Sequence, residues 1–516
     1  MPLLDPPLPQ PGQALVRWGK LYGAAPALAI AEAAQAHDAP YLVITPSARD
    51  AEQLREEILF FANNALPVHV FPDLETLPYD GFSAHPDITS ARLSALAGLP
   101  HAKRGVWTVA IDTLLQRLVP RVYTESHSLS IHSGEELNLE AFRARLTAAG
   151  YAHVTQVVSH GEFAVRGSLL DVFPMGSDMP YRIDLFDCDV ESIRHFDPDT
   201  QRSLAKLEQI RVLPARETPL DPDSVREFRR RYRLRFSGDL SAHAIYRDVS
   251  AGMAPGGIEY YLPLFFERCS NLFDYLPPQA VLVDYNEALA AADAQWNSIV
   301  QRHEQLAHDR HRPILDPAEL YLSGTELNDL QGTWRKIELR NFAWPPETDG
   351  TFKNFPSSQP AEVRIDTRSD KPVGALLAHL RAVKGRVLLA AESGGRRELL
   401  LDLLRTQDIN PRVVDSFAEF ADGRAELGIT VTAAVSGMRL DDPPLEILTE
   451  SQLFGERARQ ERRRRRADRD PARILKELTD LRVGSPVVHE TYGVGRYAGL
   501  QTMEIAGHIG EFLVLL

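Results

Sequence analysis

The sequence predicts a multidomain protein of the α/β and α+β classes. Between Ala24 and Leu118, short apolar runs alternate with amphipathic helical stretches, a pattern typical of a parallel sheet covered by helices. From about Val122 to Leu213 the pattern changes to closely spaced strands. Strands and helices alternate again further on, after a stretch at 345–360 that is rich in Pro, Gly, Asn and Ser and is predicted to be a linker.

The bulk composition is that of an ordinary globular chain. Its 516 residues predict roughly three or four domains, and 44% hydrophobic with 25% charged residues is typical of them. The net charge of -14 argues against binding nucleic acid over most of the surface, so any such contact needs a local basic patch. Cys188 and Cys269 are the only cysteines. With no signal peptide and no apolar run of ~20 residues, the sequence predicts a cytoplasmic protein without a zinc site or membrane span.

The first α/β region is predicted element by element. Helices are expected at 24–36 and 47–61, strands at 41–44 and 68–71, and further alternation at 87–97 and 106–118. The first strand-to-helix loop of such a sheet commonly holds phosphate. Here that loop, LYGAAPAL at 21–28, lacks the Lys and hydroxyl of a P-loop, and Pro26 lacks an amide donor. We therefore predict no nucleotide hydrolysis. The similar turn at Ser393–Arg396 is better explained by helix capping.

One strand of the β-rich region has an unusual pattern. Turn signals divide 163–203 into three or four antiparallel strands, with a helix expected before them at 137–149. In the strand 180–186, period-2 alternation places Tyr181, Ile183 and Leu185 on one face and Arg182, Asp184 and Phe186 on the other. The mixed face is either the edge of a second small core with an Arg–Asp surface pair, or a docking surface that Arg166 extends.

Two basic runs are candidates for nucleic-acid contact. The helical run 226–236 contains Arg229, Arg230, Arg231, Arg233 and Arg235, with Phe228, Tyr232 and Phe236 interleaved. It is a candidate for binding nucleic acid or an acidic partner, or it is only a helix edge. The five consecutive arginines at 462–466 lie among acidic residues, which favours a solvated helical linker.

The remaining elements are predicted with less detail. They are an aromatic-rich segment at 256–266, a strand at 281–283, a long helix at 285–310, helices at 373–383 and 396–405, and strands at 386–391, 412–414, 429–433 and 445–449. The last block has strands at 486–489 and 511–516 and a Gly-rich turn at 492–496. Because chain termini are usually polar, the apolar run 512–516 predicts a sequence cut inside a domain.

Several stretches together resemble one bacterial family. RGSLLDVFPMGSDMPYRIDLFDCDVESIRHFDPDTQRS at 166–203 resembles the adaptor domain that UvrB shares with the bacterial transcription-repair coupling factors. The stretches 75–96, 256–266 and 487–516 resemble the coupling factors, and a UvrB would keep an intact P-loop. The resemblance covers nearly the whole chain in the right order.

The resemblance implies a particular architecture. It consists of a degenerate RecA/helicase-like parallel-sheet domain (1–121) with a β-rich insert (122–215), the completion of this UvrB-like module (216–340), a linker (341–360), a small α/β domain (361–454), a charged linker (455–480) and the start of a small β-barrel (481–516). The ATP- and Mg²⁺-dependent DNA motor of the family, through which the family mainly contacts DNA, is not within this chain. The C-terminal domain that masks the insert in the family is not within it either.

The resemblance also implies partners and a function. Arg166, Arg182 and Phe186 match the positions that contact UvrA. Gln501, Thr502, Met503 and Glu504 lie along the strand that binds the RNA polymerase β subunit. The implied function is recruitment in transcription-coupled nucleotide-excision repair, with no cofactor in this chain. The alternatives are an ATP-dependent helicase or translocase in its own right, and a damaged-DNA-binding protein.

Overall fold

The structure, a computed structural model, describes residues 2–10, 14–63, 65–365, 373–432, 436–454, 486–489, 493–505 and 508–515. The chain divides into two compact units, Met1–Arg457 and Ala458–Leu516. Among the helices in these ranges, none is both long enough and apolar enough to cross a membrane.

The first segment of the chain builds most of a parallel sheet. Its elements are β1 (Leu15–Gly19), α1 (Ala25–Ala36), β2 (Pro40–Thr45), α2 (Ala48–Ala62), β3 (Val68–Val70), α3 (Pro86–Gly98), β4 (Gly105–Ala110), α4 (Ile111–Leu114) and α5 (Arg121–Ser126). Every residue of β2 and β4 is buried, as expected of parallel strands with helices on both faces. The sequence predicted these helices and strands except β1 and α5.

The β-rich region is a separate layer inserted after α5. Its elements are β5 (Leu129–His132), α6 (Leu139–Ala148), β6 (Ala152–His153), β7 (Glu162–Arg166), β8 (Leu169–Phe173), β9 (Tyr181–Phe186), β10 (Asp189–Phe196), β11 (Ser203–Leu207) and β12 (Gln209–Val212). Six strands form one sheet in the order β11-β10-β9-β8-β7-β6, antiparallel except for the β6–β7 pair. Strands β5 and β12 pair separately. The predicted antiparallel strands are confirmed.

The chain then returns to the parallel sheet. The elements are α7 (Pro222–Arg235), α8 (Ala244–Ser250), β13 (Val281–Tyr285), α9 (Ala292–Leu306), α10 (Pro317–Leu320), α11 (Gly324–Gln331), β14 (Arg335–Leu339) and β15 (Thr351–Asn354). The completed sheet has the order β15-β1-β14-β13-β2-β4-β3. The prediction of one helix over 285–310 is wrong. Asn286 and Glu287 have φ values of 52° and 59°, which no α-helix accommodates, so that α9 starts only at Ala292.

A second α/β layer follows. It contains β16 (Ser357–Ser358), α12 (Gly374–Ala382), β17 (Arg386–Ala391), α13 (Gly394–Arg405), β18 (Arg412–Val413), α14 (Phe417–Asp422), β19 (Leu427–Val431), β20 (Met438–Asp441), β21 (Pro444–Thr449) and α15 (Glu450–Phe454). The strand order is β16-β20-β21-β17-β19-β18, and only the pairs made by β20 are antiparallel. The stretch 341–360, expected to be a linker, supplies β15 to one sheet and β16 to the other.

Helix α1 lies between the two large sheets. Its buried side chains share one core with Val43 and Val283 of the seven-stranded sheet and with Leu388 and Ile447 of the second α/β layer. The alanine-rich sequence explains this position, because small side chains let two sheets approach one helix from opposite sides. A helix buried on both sides has few polar residues, and Glu32 and Gln35 are the only polar residues of α1.

Helix α3 fixes the insert to the parallel sheet. Leu93 packs into the core of the insert, whereas Leu96 packs into the core beneath the parallel sheet. Arg92 is 1% exposed and donates a hydrogen bond of 2.8 Å to Glu217, at the end of the insert. Its guanidinium also lies over the Phe71 ring. The insert is therefore held by both apolar and charged contacts along one helix.

The second unit contains an antiparallel sheet of β22 (Pro486–His489), β23 (Gly493–Ile505) and β24 (His508–Leu515), in that order. The Gly-rich turn predicted at 492–496 is wrong from Gly493 onward. Gly493 and Gly495 lie in β23, where they pair with His489 and Val487 of β22.

Candidate functional site

The six-stranded sheet of the insert has one covered face. Ile183 and Leu185 of β9 are buried there together with Phe163 of β7 and Ile193 of β10, and Phe142 of α6 packs over them. Tyr181 is partly buried against the same core. The alternation predicted along β9 is thus confirmed on its apolar side.

The opposite face is closed at one end only. There, Ala164, Phe173 and Phe196 pack with Val157 in a small separate core. The prediction of a second small core near this strand is therefore correct. Away from that core the face lacks a covering element among the described residues. We call its accessible part the open face; it comprises Arg166, Leu169, Asp184, Phe186, Arg194 and Lys206.

Phe186 is the most exposed aromatic residue of the open face. It ends β9 and is 74% exposed, although large apolar side chains are normally buried. It pairs with Asp189 across a tight turn in which Asp187 has a φ of 57°. Arg166, which ends β7, is also exposed and donates a 2.7 Å hydrogen bond to the carbonyl of Thr155. The structure therefore places both predicted residues on one accessible surface.

Arg182 has a different environment from its predicted partners. Its Nε and Nη2 donate hydrogen bonds of 2.7 and 2.9 Å to the two carboxylate oxygens of Asp171 on the neighbouring strand β8. Its Nη1 donates to the carbonyl of Gln201 at 3.0 Å, and its guanidinium lies 4.8 Å from the Phe196 ring centroid. Only 18% of its side chain is exposed. These hydrogen bonds with Asp171 raise the pKa of Arg182 further above its ordinary value.

Asp171 was missed as a site residue. It is 3% exposed, and its carboxylate accepts hydrogen bonds from the Arg182 guanidinium. The available signal was a single carboxylate inside the apolar run LLDVF, since a buried carboxylate requires a partner. The Arg–Asp pair expected on the surface at Arg182 and Asp184 is instead a largely buried pair between β9 and β8.

The basic helix α7 does not present its aromatic residues to solvent. Phe228 and Tyr232 are fully buried in the core beneath the parallel sheet. These two of the aromatic residues interleaved with the arginines are therefore core residues. Period 3.6 places both rings on the inner stripe of the helix.

The arginines of α7 have partners within the fold. Arg230 and Arg231 pair with Glu227, Arg229 and Arg233 bond the Tyr246 hydroxyl, and Arg235 pairs with Asp316 and Glu319. A contact between these arginines and nucleic acid stays a prediction. The arginine run at 462–466 lies outside the described residues.

The loop that corresponds to a P-loop is filled by another part of the chain. The Ala24 amide, at the start of α1, donates a 3.2 Å hydrogen bond to the carbonyl of Gly437, and the Tyr22 amide donates to the Ser357 hydroxyl at 3.2 Å. Gly23 has a φ of 57°, and a Cβ atom there would lie 1.8 Å from the Gly437 oxygen. The Gly437 carbonyl and the Ser357 hydroxyl thus accept hydrogen bonds from the amides that would face a phosphate in a P-loop.

The turn at Ser393–Arg396 is a helix cap, as predicted. The Ser393 hydroxyl accepts a hydrogen bond from the Arg396 amide at 3.3 Å. The buried carboxylate of Glu450 accepts from the Glu392 amide at 3.1 Å and pairs with the Arg396 guanidinium. The negative charge at this helix start is therefore supplied by the chain itself.

Strand β23 contains the four residues predicted to face the polymerase. Gln501, Thr502, Met503 and Glu504 pair through their backbone with 509–512 of β24. Strand β22 pairs only with 493–496 of β23. Within the described part of this unit, one backbone edge of these four residues therefore has no partner strand, and a free edge of this kind is able to pair with another chain.

Three segments of the chain match known families. Residues 129–217 match the UvrB interaction domain, 379–453 match the MFD, D3 domain, and 481–516 match the CarD-like/TRCF RID domain. The first match covers the insert with its open face, and the last covers the sheet that contains β23. This order defines a multidomain protein that combines a UvrB interaction domain with a CarD-like module.

Curated relatives specify the family more closely. The chain is 39% identical over 500 residues to the transcription-repair-coupling factor of Haemophilus influenzae and 39% identical over 499 residues to that of Escherichia coli; each alignment covers 96% of this chain and 43% of the relative. The factor of Myxococcus xanthus is 30% identical over 97% of the chain. The chain corresponds to the N-terminal portion of the transcription-repair-coupling factors and spans less than half the length of these relatives.

Proposed function

We propose that this chain is a recruitment module for transcription-coupled nucleotide-excision repair, which binds UvrA through the insert and RNA polymerase through the second unit. The observation that carries the proposal is the open face, where an exposed phenylalanine and an exposed arginine lie on a sheet whose other face is packed. Aromatic and arginine side chains are the commonest anchors of protein interfaces. The two cysteines, neither in a disulfide, support a cytoplasmic location.

The UvrA contact assigns different roles to the three predicted residues. Phe186 and Arg166 are accessible and contact the partner directly. Arg182 is held by Asp171, and its main effect is to order the strands that carry the other two. The contact between the Ala24 amide and Gly437 supports recruitment over the alternative of a nucleotide-driven helicase.

The UvrA contact is tested by titrating purified UvrA with the wild-type chain and with Phe186→Ala. We expect the variant to bind at least about 30-fold more weakly, because truncating an interface anchor costs about 2 kcal/mol or more. The matched control is Leu234→Ala, which removes another exposed apolar side chain, 77% exposed on α7. Equal affinity of the Phe186→Ala variant and wild type contradicts the proposal.

The polymerase contact is proposed to form on the free edge of β23. A partner strand that pairs there gains backbone hydrogen bonds, and side chains next to the edge add specificity. Binding of the RNA polymerase β subunit is measured with Glu504→Lys and with Glu511→Lys on β24 as the control. We expect the first substitution to weaken binding more than the second. If the two variants bind alike, β23 does not provide the contact.

A further inference from the structure

Four charged side chains stand in one row across the insert sheet. Strand pairing puts Asp171 of β8 opposite Arg182 of β9, Arg182 opposite Arg194 of β10, and Arg194 opposite Lys206 of β11. Directly opposed residues of antiparallel strands project from the same face. Arg194 and Lys206 therefore lie on the same side of the sheet as Phe186 and Arg166.

Only one of the three cations in this row has a carboxylate partner. Arg182 is paired with Asp171. Arg194 and Lys206 are exposed, and within the described residues neither forms an ion pair. Like charges directly opposite one another in a sheet repel, so that Arg182, Arg194 and Lys206 in succession cost stability in the isolated chain. A bound carboxylate would remove that cost.

The other end of the open face is acidic. Asp187 and Asp189 are exposed beside Phe186 at the turn between β9 and β10. Lys206 lies two strands away from β9, or about 10 Å across the sheet. Between β9 and β11 the open face is therefore polarised, with carboxylates at the hairpin turn beside Phe186 and cations toward β11, while Arg166 is a separate cation on β7.

Protection of the sheet edge explains part of this pattern. Strand β11 is the outermost strand of the six, and a lysine on an edge strand discourages pairing with other chains. That explanation accounts for Lys206. It leaves Arg194 unexplained, because β10 is paired on both sides and has no edge to protect.

We propose that Arg194 and Lys206 bind an acidic segment of the same partner that contacts Phe186, and that the polarity of the open face sets the orientation of that partner. The inference rests on the proposed function, since it assumes UvrA as the partner. It adds a second contact area on β10 and β11, one and two strands away from the strand that carries Phe186, and this area would bind carboxylates. Complementary charges of this kind chiefly accelerate association and fix orientation.

The test is a titration of UvrA with the full chain at low and moderate salt. In one variant, Arg194→Glu is combined with Lys206→Glu; in the control, Arg143→Glu is combined with Arg145→Glu on α6, which covers the opposite face of the same sheet. We expect the first variant to bind about tenfold more weakly at low salt, mainly through slower association, with a smaller difference at higher salt. The control carries the same change in charge and is expected to bind within about twofold of wild type.

A second variant separates binding from folding. A glutamate at Arg194 is able to compete with Asp171 for Arg182, so that Arg194→Gln with Lys206→Gln removes the charges without this competition. This variant is also expected to bind UvrA more weakly than wild type, and its thermal unfolding midpoint is expected to equal that of wild type. Equal loss in the α6 control overturns the inference. If Phe186→Ala weakens binding while both Arg194 variants match wild type, the inference fails and the proposed function stands; if Phe186→Ala also has no effect, the proposed function fails.

Discussion

Helix α7 and the insert sheet both interleave arginine with aromatic residues, and the fold treats them in opposite ways. On α7 the rings of Phe228 and Tyr232 are buried, and the arginines are paired either with Glu227 of the same helix or with groups from other elements. On the sheet the ring of Phe186 is exposed, and Arg194 has no ion pair among the described residues. The same residue types thus give a packed stripe in one region and an accessible surface in the other.

The difference comes from what each element packs against. A helix at the margin of a core buries one stripe, and any aromatic residue at the right period enters it. A strand of a two-sided sheet buries one face completely and leaves the other to whatever covers it, which in the insert is only the small core around Phe173. Whether an aromatic residue is exposed therefore depends on whether another element packs over the face that carries it.

The largest effect is expected on stability, when the buried ring of α7 and the exposed ring of the insert sheet are each truncated. Phe228→Ala removes a ring that is 0% exposed and leaves a cavity, so we expect the free energy of unfolding to fall by about 3 to 5 kcal/mol. Phe186→Ala removes an exposed ring and is expected to change it by less than about 0.5 kcal/mol. Urea denaturation followed by circular dichroism measures both. Similar losses in the two variants would mean that Phe186 packs against the chain.

Asp171→Asn is expected to have the next largest effect. The substitution removes the negative charge that accepts two hydrogen bonds from the Arg182 guanidinium. We expect the free energy of unfolding to fall by about 2 kcal/mol, because the charge-assisted hydrogen bonds are weakened and the guanidinium is left without an anionic partner. The control is Asp184→Asn, one row away on the open face, with an expected change below about 0.5 kcal/mol. Equal urea midpoints of the two variants would show that the buried pair adds nothing to stability.

Much of the insert was predictable because its signals are local. Alternation along β9 separated Ile183 and Leu185 from Arg182 and Phe186, and the turn residues separated the strands. The bonds of Arg182 were not predictable, because Asp171 lies on a different strand and its register is fixed only when the sheet forms. The sequence showed which residues share a face, but it could not show which of them stay accessible.

The parallel sheet shows the same limit over longer distances. Buried apolar strands such as β2 and β4 are visible in the sequence, whereas β1 and β14 carry arginine, lysine or glutamate and lack a clear apolar run. The filling of the nucleotide loop depends on Gly437, which is more than 400 positions from Ala24. No local pattern reports a contact of this kind, although the missing lysine and hydroxyl of the loop already argued against nucleotide binding.

The smallest expected effect concerns the acid sensitivity of α7. Hydrogen bonds from Arg230 and then Arg231 lower the pKa of Glu227 from about 4.5 to about 2. Because the pKa in the folded state is lower than in the unfolded state, the resulting stability is present above about pH 4.5 and is lost as the pH falls toward 2. Solvent screening limits it to about 0.5 kcal/mol, since the Arg230 side chain is 57% exposed.

The measurement is the difference in unfolding free energy between wild type and Glu227→Gln at pH 7 and at pH 3. We expect the difference to shrink at the lower pH, because at pH 3 Glu227 is largely protonated in the unfolded wild-type chain and has to lose that proton on folding. Glu304→Gln on α9 alters an exposed carboxylate that makes no ion pair among the described residues, and it should give no such trend. A difference for Glu227→Gln that is equal at both pH values would show that Arg230 and Arg231 do not depend on Glu227. They would then be available to bind an external anion, which would make α7 similar to the open face.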